Sequence, residues 1–500
     1  MRHHGPRPDR LKLVSGAAAG PSSALARFSF SPTAGHQGLP MRTQNPTANG
    51  FAAPSASLTD WPSPSSTAAP RTVQSKELNR VVLASVVGSF VEWFEFSVYG
   101  YLAAVLGKVF FASSSPTMQV TASWAAFAIA FFARPIGGIF FGSLGDKYGR
   151  KRVLTITIIM MAISTFLIGV LPGYASIGIA APLLLIVLRL MQGLSAGGEA
   201  SGAAIFVAEY CRDRNRTLLT SWVEVGCMAG FFFGASVSAI LTVFFSADQI
   251  LDWAWRIPFL IALPLGAIGL YIRKYLEETP TFVAMKQQHD ALAQASWKVL
   301  FATHKKELFQ SAGIIIVTNV TLFTVVTYIP TYFVSALHVD VATGLKLSLG
   351  PQLFLVVMIP LMGMLADKLS RKTMMTAASL AIAVLAVPCF HLLLEGSTAA
   401  KVSSLMVLNF CLAMLLGSIY SIIPSMFHTS VRFKGMALSY NVAVAMFAGT
   451  APMINSWLIA RTGNPVVPAY YLIGAAIIGL IALVSSRDRT GLPMHGDPVQ

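Results

Sequence analysis

Glu92 and Glu95 stand three residues apart, about midway along an apolar run of helix length. Ionisable groups inside such a run are costly, so each calls for a reason. The i, i+3 spacing places both carboxyls on one helix face. Two acids crowded in a low dielectric favour at least one remaining neutral. A group of that kind can take up and release a proton. Alternatively, the two acids are fixed ion-pair partners for arginines on other segments, and the sequence does not say which member would carry a proton. Arg134 and Arg189 are such arginines, each inside another apolar run, and Glu199 and Glu224 are the acids expected to face them. A cation at that depth must pair or reach water; a clamp between helices and a direct role toward a solute both satisfy this. Asn319, with Asn409 and Asn441, adds amides that seek a partner or a water-lined cavity. Trp93, Phe94, Tyr99, Trp124, Phe127, Trp222, Tyr328 and Tyr440 offer ring faces to a binding site, although most aromatics in a membrane helix pack or face lipid.

Positioning these groups requires elements that satisfy their own backbone in lipid. The chain is 55% hydrophobic and 11% charged, with a mean hydropathy of +0.65, far from the mix of a soluble domain. Twelve apolar runs reach membrane-spanning length: 82–105, 120–144, 153–172, 178–208, 217–245, 256–276, 309–336, 346–367, 373–394, 402–424, 434–460 and 467–486. None alternates as a barrel strand would, so the spans are helices. The fold class is an all-α integral membrane protein of twelve transmembrane helices.

A glycine-punctuated, charged stretch, Gly142-Ser143-Leu144-Gly145-Asp146-Lys147-Tyr148-Gly149-Arg150, joins the second run to the third. It recurs at a constant offset, with Gly363, Asp367 and Arg371 answering to Gly142, Asp146 and Arg150. A repeat of membrane-length segments implies a transporter built from two pseudo-symmetric six-helix halves. Basic loops alone would explain the lysines and arginines but not Gly-x-Leu-small-Asp-Lys returning in register. Gly226, Gly230 and Gly234 at every fourth position imply close helix packing.

The net charge of +15 is spread over alternate connections, as the positive-inside rule requires, and not gathered into a nucleic-acid surface. Both ends of the chain fall on the basic side, which predicts cytoplasmic termini and an even number of spans. Lys108, Lys346, Lys401 and Arg461 are scattered exceptions. The expected organisation is a disordered N-terminal tail over 1–75, a first half over 76–276, a cytoplasmic linker over 277–308, a second half over 309–486 and a short cytoplasmic tail over 487–500. The linker, with Trp297, Leu300 and Phe301 at helical spacing, is expected to lie on the membrane surface. Four dispersed cysteines give neither a disulfide framework nor a CxxC pair, and nine histidines form no metal motif. No nucleophile–base pair or phosphate loop is legible, so an enzyme is disfavoured.

Two six-helix halves with the doubled loop resemble the major facilitator superfamily. Glu92-Trp93-Phe94-Glu95-Phe96, Arg134-Pro135-Ile136-Gly137-Gly138, Gly193-Leu194-Ser195-Ala196-Gly197-Gly198-Glu199 and Trp255-Arg256-Ile257-Pro258-Phe259 resemble its metabolite:proton symporters. Phe206-Val207-Ala208-Glu209-Tyr210, Glu277-Glu278-Thr279-Pro280, Thr318-Asn319-Val320-Thr321 and Pro468-Ala469-Tyr470-Tyr471 are most similar to proline/glycine betaine transporters. The similarity covers roughly residues 76 to 485. Departures are Glu95, where aspartate is common, and Ser370, where glycine is usual. The C-terminal coiled coil of osmosensory members has no counterpart in the sequence after about residue 486.

The resemblance implies alternating access, with Gly142, Asp146, Gly149 and Arg150 forming a cytoplasmic latch and Gly363, Asp367 and Arg371 a less strict one. It implies uptake of a small zwitterionic solute such as proline or glycine betaine with protons, in an inner cell membrane. The proton is the coupling ion and no other cofactor is expected; nor is a metal, a nucleic acid or an obligate protein partner. A symporter of organic acids (2-oxoglutarate, citrate or shikimate type) is the alternative; a dianion would ask for at least one unpaired arginine in the cavity, whereas pairing of both Arg134 and Arg189 with glutamates would favour the zwitterion. A non-transporting membrane sensor is a more remote one. The central cavity is expected between the first, fourth, fifth, seventh, tenth and eleventh spans.

Overall fold

The computed structural model describes residues 75–111, 116–148, 150–211, 213–274, 297–428, 431–492 and 494. The expected tail over 1–75 therefore lies almost wholly outside the described residues, as do linker positions 277–296 and most of 493–500. Among the described residues every regular element is helical. Eleven helices are long and apolar enough to cross a membrane, and a bent pair, Ala247–Ala254 with Arg256–Ile272, supplies the twelfth.

We number the spans α1 (Ser75–Tyr101), α2 (Pro116–Tyr148), α3 (Arg150–Val170), α4 (Ala180–Tyr210), α5 (Arg216–Phe244) and α6 (Arg256–Lys274). They continue as α7 (Lys305–Ser335), α8 (Val341–Lys368), α9 (Arg371–Glu395), α10 (Thr398–Met426), α11 (Arg432–Thr462) and α12 (Val467–Ser485). Each falls on one of the twelve apolar runs. Several outrun their apolar stretch: α2 continues helical through the charged residues to Tyr148 and α8 to Lys368, because water at the membrane face tolerates charge without ending a helix. Of the linker, Trp297–Thr303 forms a short helix with Leu300 buried and Phe301 exposed.

Burial is arranged for lipid. α9 exposes Leu380, Val384 and Leu392 while covering Arg371 and Ser379, and α12 exposes Ile477, Ile481 and Val484. Polar groups inside and apolar side chains outside is the order lipid demands.

The two sets of six repeat one packing scheme. α1 packs on α5, α2 on α4 and α3 on α6; correspondingly α7 packs on α11, α8 on α10 and α9 on α12. The sets meet through α5 against α8 and α2 against α11, pairs that the pseudo-symmetry exchanges. Glycine makes the closest crossings possible. A Cβ on Gly226 would stand 2.4 Å from the Val86 carbonyl oxygen, and one on Gly230 would stand 2.4 Å from that of Phe90. The same device joins α2 to α4, where a Cβ on Gly197 would lie 2.1 Å from the Arg134 carbonyl oxygen.

α7 and α11 each contain a π-helical stretch, Phe323–Tyr328 and Val444–Ala448. Such turns offset carbonyls from the usual ladder, and buried carbonyls need donors. The Tyr101 hydroxyl of α1 donates to the Val326 carbonyl (3.2 Å), and that of Tyr471 on α12 donates to Phe447 (2.9 Å).

Candidate functional site

Glu92 and Glu95 point inward, at 2% and 0% exposure. They do not act as one pair. Glu92 accepts from Arg134 Nη2 at 2.9 Å, joining α1 to α2. Glu95 Oε2 instead accepts from the Thr165 hydroxyl of α3. Residues i and i+3 share a face but differ by about 60° around the axis and about 4.5 Å along it, enough for each to reach a different neighbouring helix.

Among the described residues Arg134 forms its ion pair with Glu92, the alternative that the sequence offered, and Glu224 forms none. Glu224 of α5 lies near Glu92 and against Cys227 and the Tyr420 hydroxyl of α10. Tyr420 in turn meets Tyr440 of α11, their hydroxyls 3.3 Å apart. Glu224 thus looks across to the second half. The Glu199 side chain lies outside the described residues.

Arg189 has no carboxylate within ion-pair distance among the described residues. Its guanidinium stands 4.1 Å from the Tyr99 ring centre, with Phe127 at 5.3 Å and Phe96 at 5.4 Å. Ring faces stabilise a cation, and more strongly where water is excluded. Nη1 donates to Gln192 Oε1 at 2.8 Å, and Gln192 Nε2 donates to the Thr165 hydroxyl oxygen. Gln192 and Thr165 were not foreseen. Gln192 sits one turn from Arg189 on the same face, a signal that was available; nothing in the sequence distinguishes Thr165 from other helical threonines.

The centre is filled by rings. Phe323, at the start of the α7 π stretch, packs on Phe131 (5.2 Å between centroids), Trp93 (6.2 Å), Phe127 (6.3 Å) and Phe231 (6.5 Å). Helices α1, α2, α5 and α7 therefore meet here, so α2 joins the expected lining. Asn319 of α7 donates to its own helix at Ile315 O (3.1 Å), one turn before the π stretch, and so does Asn409 to Leu405 O (2.8 Å). Asn441 bonds between halves, donating to Gly197 O at 3.0 Å.

Contacts between the halves close the bundle at both ends. At the end bearing most loop lysines and arginines, here the basic end, Asp367 accepts the N–H groups of Thr217 (3.0 Å) and Leu218 (2.9 Å) on separate oxygens. It thereby satisfies two of the donors left open at the start of α5, where the helix dipole favours an anion. Arg371 Nε donates to the Thr217 hydroxyl at 2.8 Å, and Arg371 Nη2 is 4.0 Å from Asp367. Gly363 lets α8 approach, since a Cβ there would stand 2.7 Å from Ser221 Oγ. Arg432 of α11 reaches Glu209 of α4 at 3.4 Å. In the first loop, Gly142 and Asp146 fall on the last turns of α2 and Arg150 opens α3. Their surroundings, and Gly149 altogether, lie outside the described residues.

The segment after α12 covers this same end. Ser370, the N-cap of α9, also donates to Asp488 Oδ2, while Arg371 N donates to Thr490 Oγ1 and Arg216 Nη1 to Leu492 O. Burial raises the Asp488 carboxyl, but bonds from Ser370 and Thr490 and the charge of Arg371 outweigh it and hold the group below the usual aspartate value. At the opposite end Gln352 of α8 donates to the Tyr101 hydroxyl (2.9 Å), the group that satisfies Val326.

Two six-helix sets exchanging α5–α8 and α2–α11 contacts around a centre of rings flanked by buried charges define a major facilitator. Residues 81–448 match the family described as Major Facilitator Superfamily, and the chain belongs to it. It is 40% identical over 432 residues to the proline/betaine transporter of Salmonella typhimurium, covering 84% of this chain and 85% of that one. The same figures hold for the proline/betaine transporter of Escherichia coli K12. Over 427 residues it is 40% identical to the glycine betaine/proline/ectoine/pipecolic acid transporter OusA of Dickeya dadantii, with 84% and 85% covered. Among solved structures, the proton:xylose symporter XylE bound to 6-bromo-6-deoxy-D-glucose superposes with a TM-score of 0.69 at 17% identity, over 84% of this chain and 98% of that one. The partially occluded inward-open XylE from E. coli gives 0.64 at 17%, over 82% and 97%. At such identities the likeness shows the fold.

Proposed function

We propose that this chain is a secondary transporter that carries a small zwitterionic solute of the proline or betaine type together with protons, by alternating access. The observation that carries the reading is Arg189, a buried guanidinium flanked by aromatic faces with no direct carboxylate partner among the described residues. One such cation suits one carboxylate, and the rings around it suit a quaternary or secondary ammonium group. An unpaired arginine is also what a dianion would need, and Arg189 meets that condition. The second cation that two carboxylates call for is lacking among the described residues here, since Arg134 is held by Glu92. The relatives named as proline/betaine transporters therefore weigh for the zwitterion.

The halves meet at both ends around this centre, as an occluded intermediate of the cycle would require. Asp367 at the start of α5 is a contact that must break for the basic end to open, and Asp146 is its counterpart by the repeat. Placing the basic end in the cytoplasm, with both termini, follows the positive-inside rule. Glu95, held by a neutral hydroxyl, is the better coupling acid; Glu92, fixed by Arg134, is the structural member.

Uptake of radiolabelled betaine into proteoliposomes tests the reading. Excess unlabelled proline and betaine should compete, 2-oxoglutarate, citrate and shikimate should not, and dissipating the proton gradient should abolish accumulation. Competition by the organic acids alone, or accumulation indifferent to the gradient, overturns it.

A further inference from the structure

Four buried side chains on three helices form a line of donors that all point one way. Arg189 Nη1 donates to Gln192 Oε1, Gln192 Nε2 donates to Thr165 Oγ1, and the Thr165 hydroxyl donates to Glu95 Oε2. A guanidinium stands at one end and a carboxylate at the other, with two neutral groups between. Chains of this polarity strengthen their members, because each donor is polarised by the next acceptor. The line is a relayed ion pair: Arg189 and Glu95 compensate each other without touching.

Thr165 is the link that can change. Its single hydroxyl hydrogen has a second acceptor in reach, the Met161 carbonyl oxygen at 3.1 Å on its own helix. An ionised Glu95 draws the hydrogen to Oε2. A proton arriving on Glu95 removes the negative charge there, and the hydroxyl can turn to Met161 with no bond left unmade. Its oxygen still accepts from Gln192, but the anion at the far end is gone and the Arg189 charge is no longer balanced.

We propose that Thr165 and Gln192 are positioning residues that tie the grip of Arg189 on a solute carboxylate to the proton on Glu95. This rests on the reading of the site as a zwitterion–proton symporter. Loading runs in an order set by charge. The proton neutralises Glu95, the solute carboxylate then compensates Arg189, and release of solute and proton restores the line. With the line intact Arg189 is compensated and the empty carrier is free to reorient. A proton-only carrier leaves the Arg189 charge unbalanced and a solute-only carrier sets two carboxylates against one guanidinium, and both are disfavoured by desolvation. In the fully loaded carrier the remaining positive charge is the solute ammonium, which the ring faces hold.

Among the described residues, the helices packed against α1 bring few other charged or titratable groups near Glu95. Arg134 lies across the Phe96 ring and is paired with Glu92, one turn away on α1. Glu224 and Cys227 of α5 lie near Glu92, and Tyr99 contacts Arg189. α3 contributes no titratable side chain between Val153 and Val170, nor does α6 between Ile257 and Leu270; Tyr328 is the titratable residue of the α7 π stretch, and the Glu199 side chain of α4 lies outside the described residues.

The test is the pH profile of the apparent half-saturation for betaine in proteoliposomes, each variant normalised to its own exchange rate at saturation. In the unaltered protein, half-saturation should rise by about tenfold per pH unit on the alkaline side of the Glu95 titration. Thr165→Val removes the hydroxyl and Gln192→Leu removes both adjoining links. Each should flatten that dependence to about twofold or less per unit, because two uncoupled sites no longer share a free energy. Thr165→Ser keeps the hydroxyl and should restore the slope. A Thr165→Val or Gln192→Leu protein with the full slope overturns the proposal, as does a Thr165→Ser protein as flat as valine. Failure of the underlying reading has its own signature: the unaltered protein would then show no proton-dependent betaine uptake.

Discussion

Replacing Asp367 by asparagine should release the basic end. The carboxylate accepts two backbone N–H groups on separate oxygens, at 3.0 and 2.9 Å, from a helix of the other half. Asparagine keeps one acceptor but turns the other position into a donor that faces a donor. One charge-assisted hydrogen bond is worth about 1.5–3 kcal/mol, and an anion at a helix N-terminus adds about 0.3–1 kcal/mol. The Arg371 contact, at 4.0 Å, contributes little. Taking about 2 kcal/mol as lost from the closed arrangement alone, the closed-to-open ratio falls by roughly 30-fold. Spin labels on cysteines placed at Arg214 and Leu369, both exposed on opposite halves of this end, report the separation by pulsed EPR once the four native cysteines are replaced. The ratio of long-distance to short-distance populations should grow by that factor in Asp367→Asn, and solute uptake should fall while membrane abundance holds. An unmoved distance distribution would refute the argument that this cap holds the end shut.

Glu92→Gln should lower the thermal midpoint in detergent, because it leaves the Arg134 charge buried without its anion, at a cost of about 3–5 kcal/mol. The double change Glu92→Leu with Arg134→Met should recover most of that loss, and a double variant no better than the single would count against a structural pair. Gly230→Ala should cost about 1–3 kcal/mol by forcing α1 off α5 at the Phe90 carbonyl. The same exchange at Gly350, with nothing within 4 Å of its Cβ, should be neutral or gain roughly 0.5–1 kcal/mol. Equal effects at the two glycines in one thermal-shift assay would contradict the packing account.

Depth and period were legible in the sequence, and neighbours were not. Apolar length placed all twelve spans, since lipid penalises any exposed backbone group whatever the tertiary arrangement. The inward aim of Glu92 and Glu95 followed from the cost of a carboxylate in hydrocarbon. Their partners did not, because helix crossings decide them. Gly197 and Gly137 draw α4 onto α2, and Arg134 then meets Glu92 of α1. Gln192 and Thr165 escaped notice for the opposite reason: neutral polar residues in a helix carry so little penalty that composition does not mark them. The π stretches were equally silent, since their carbonyls are satisfied by Tyr101 and Tyr471 from other helices. Asp367 was easier, because the repeat itself advertised it.

The rings that meet at Phe323, with centroids 5.2–6.5 Å apart, have an electrical consequence. Aromatic rings at that spacing are in contact and place apolar surface at the meeting of α1, α2, α5 and α7. Where such rings stand closed, low-dielectric material replaces water and the membrane voltage concentrates across it. Each elementary charge carried past it gains or loses about 2.3 kcal/mol per 100 mV. Glu95 and Arg189 lie beside that drop, so the step in which the rings part is the step that senses voltage.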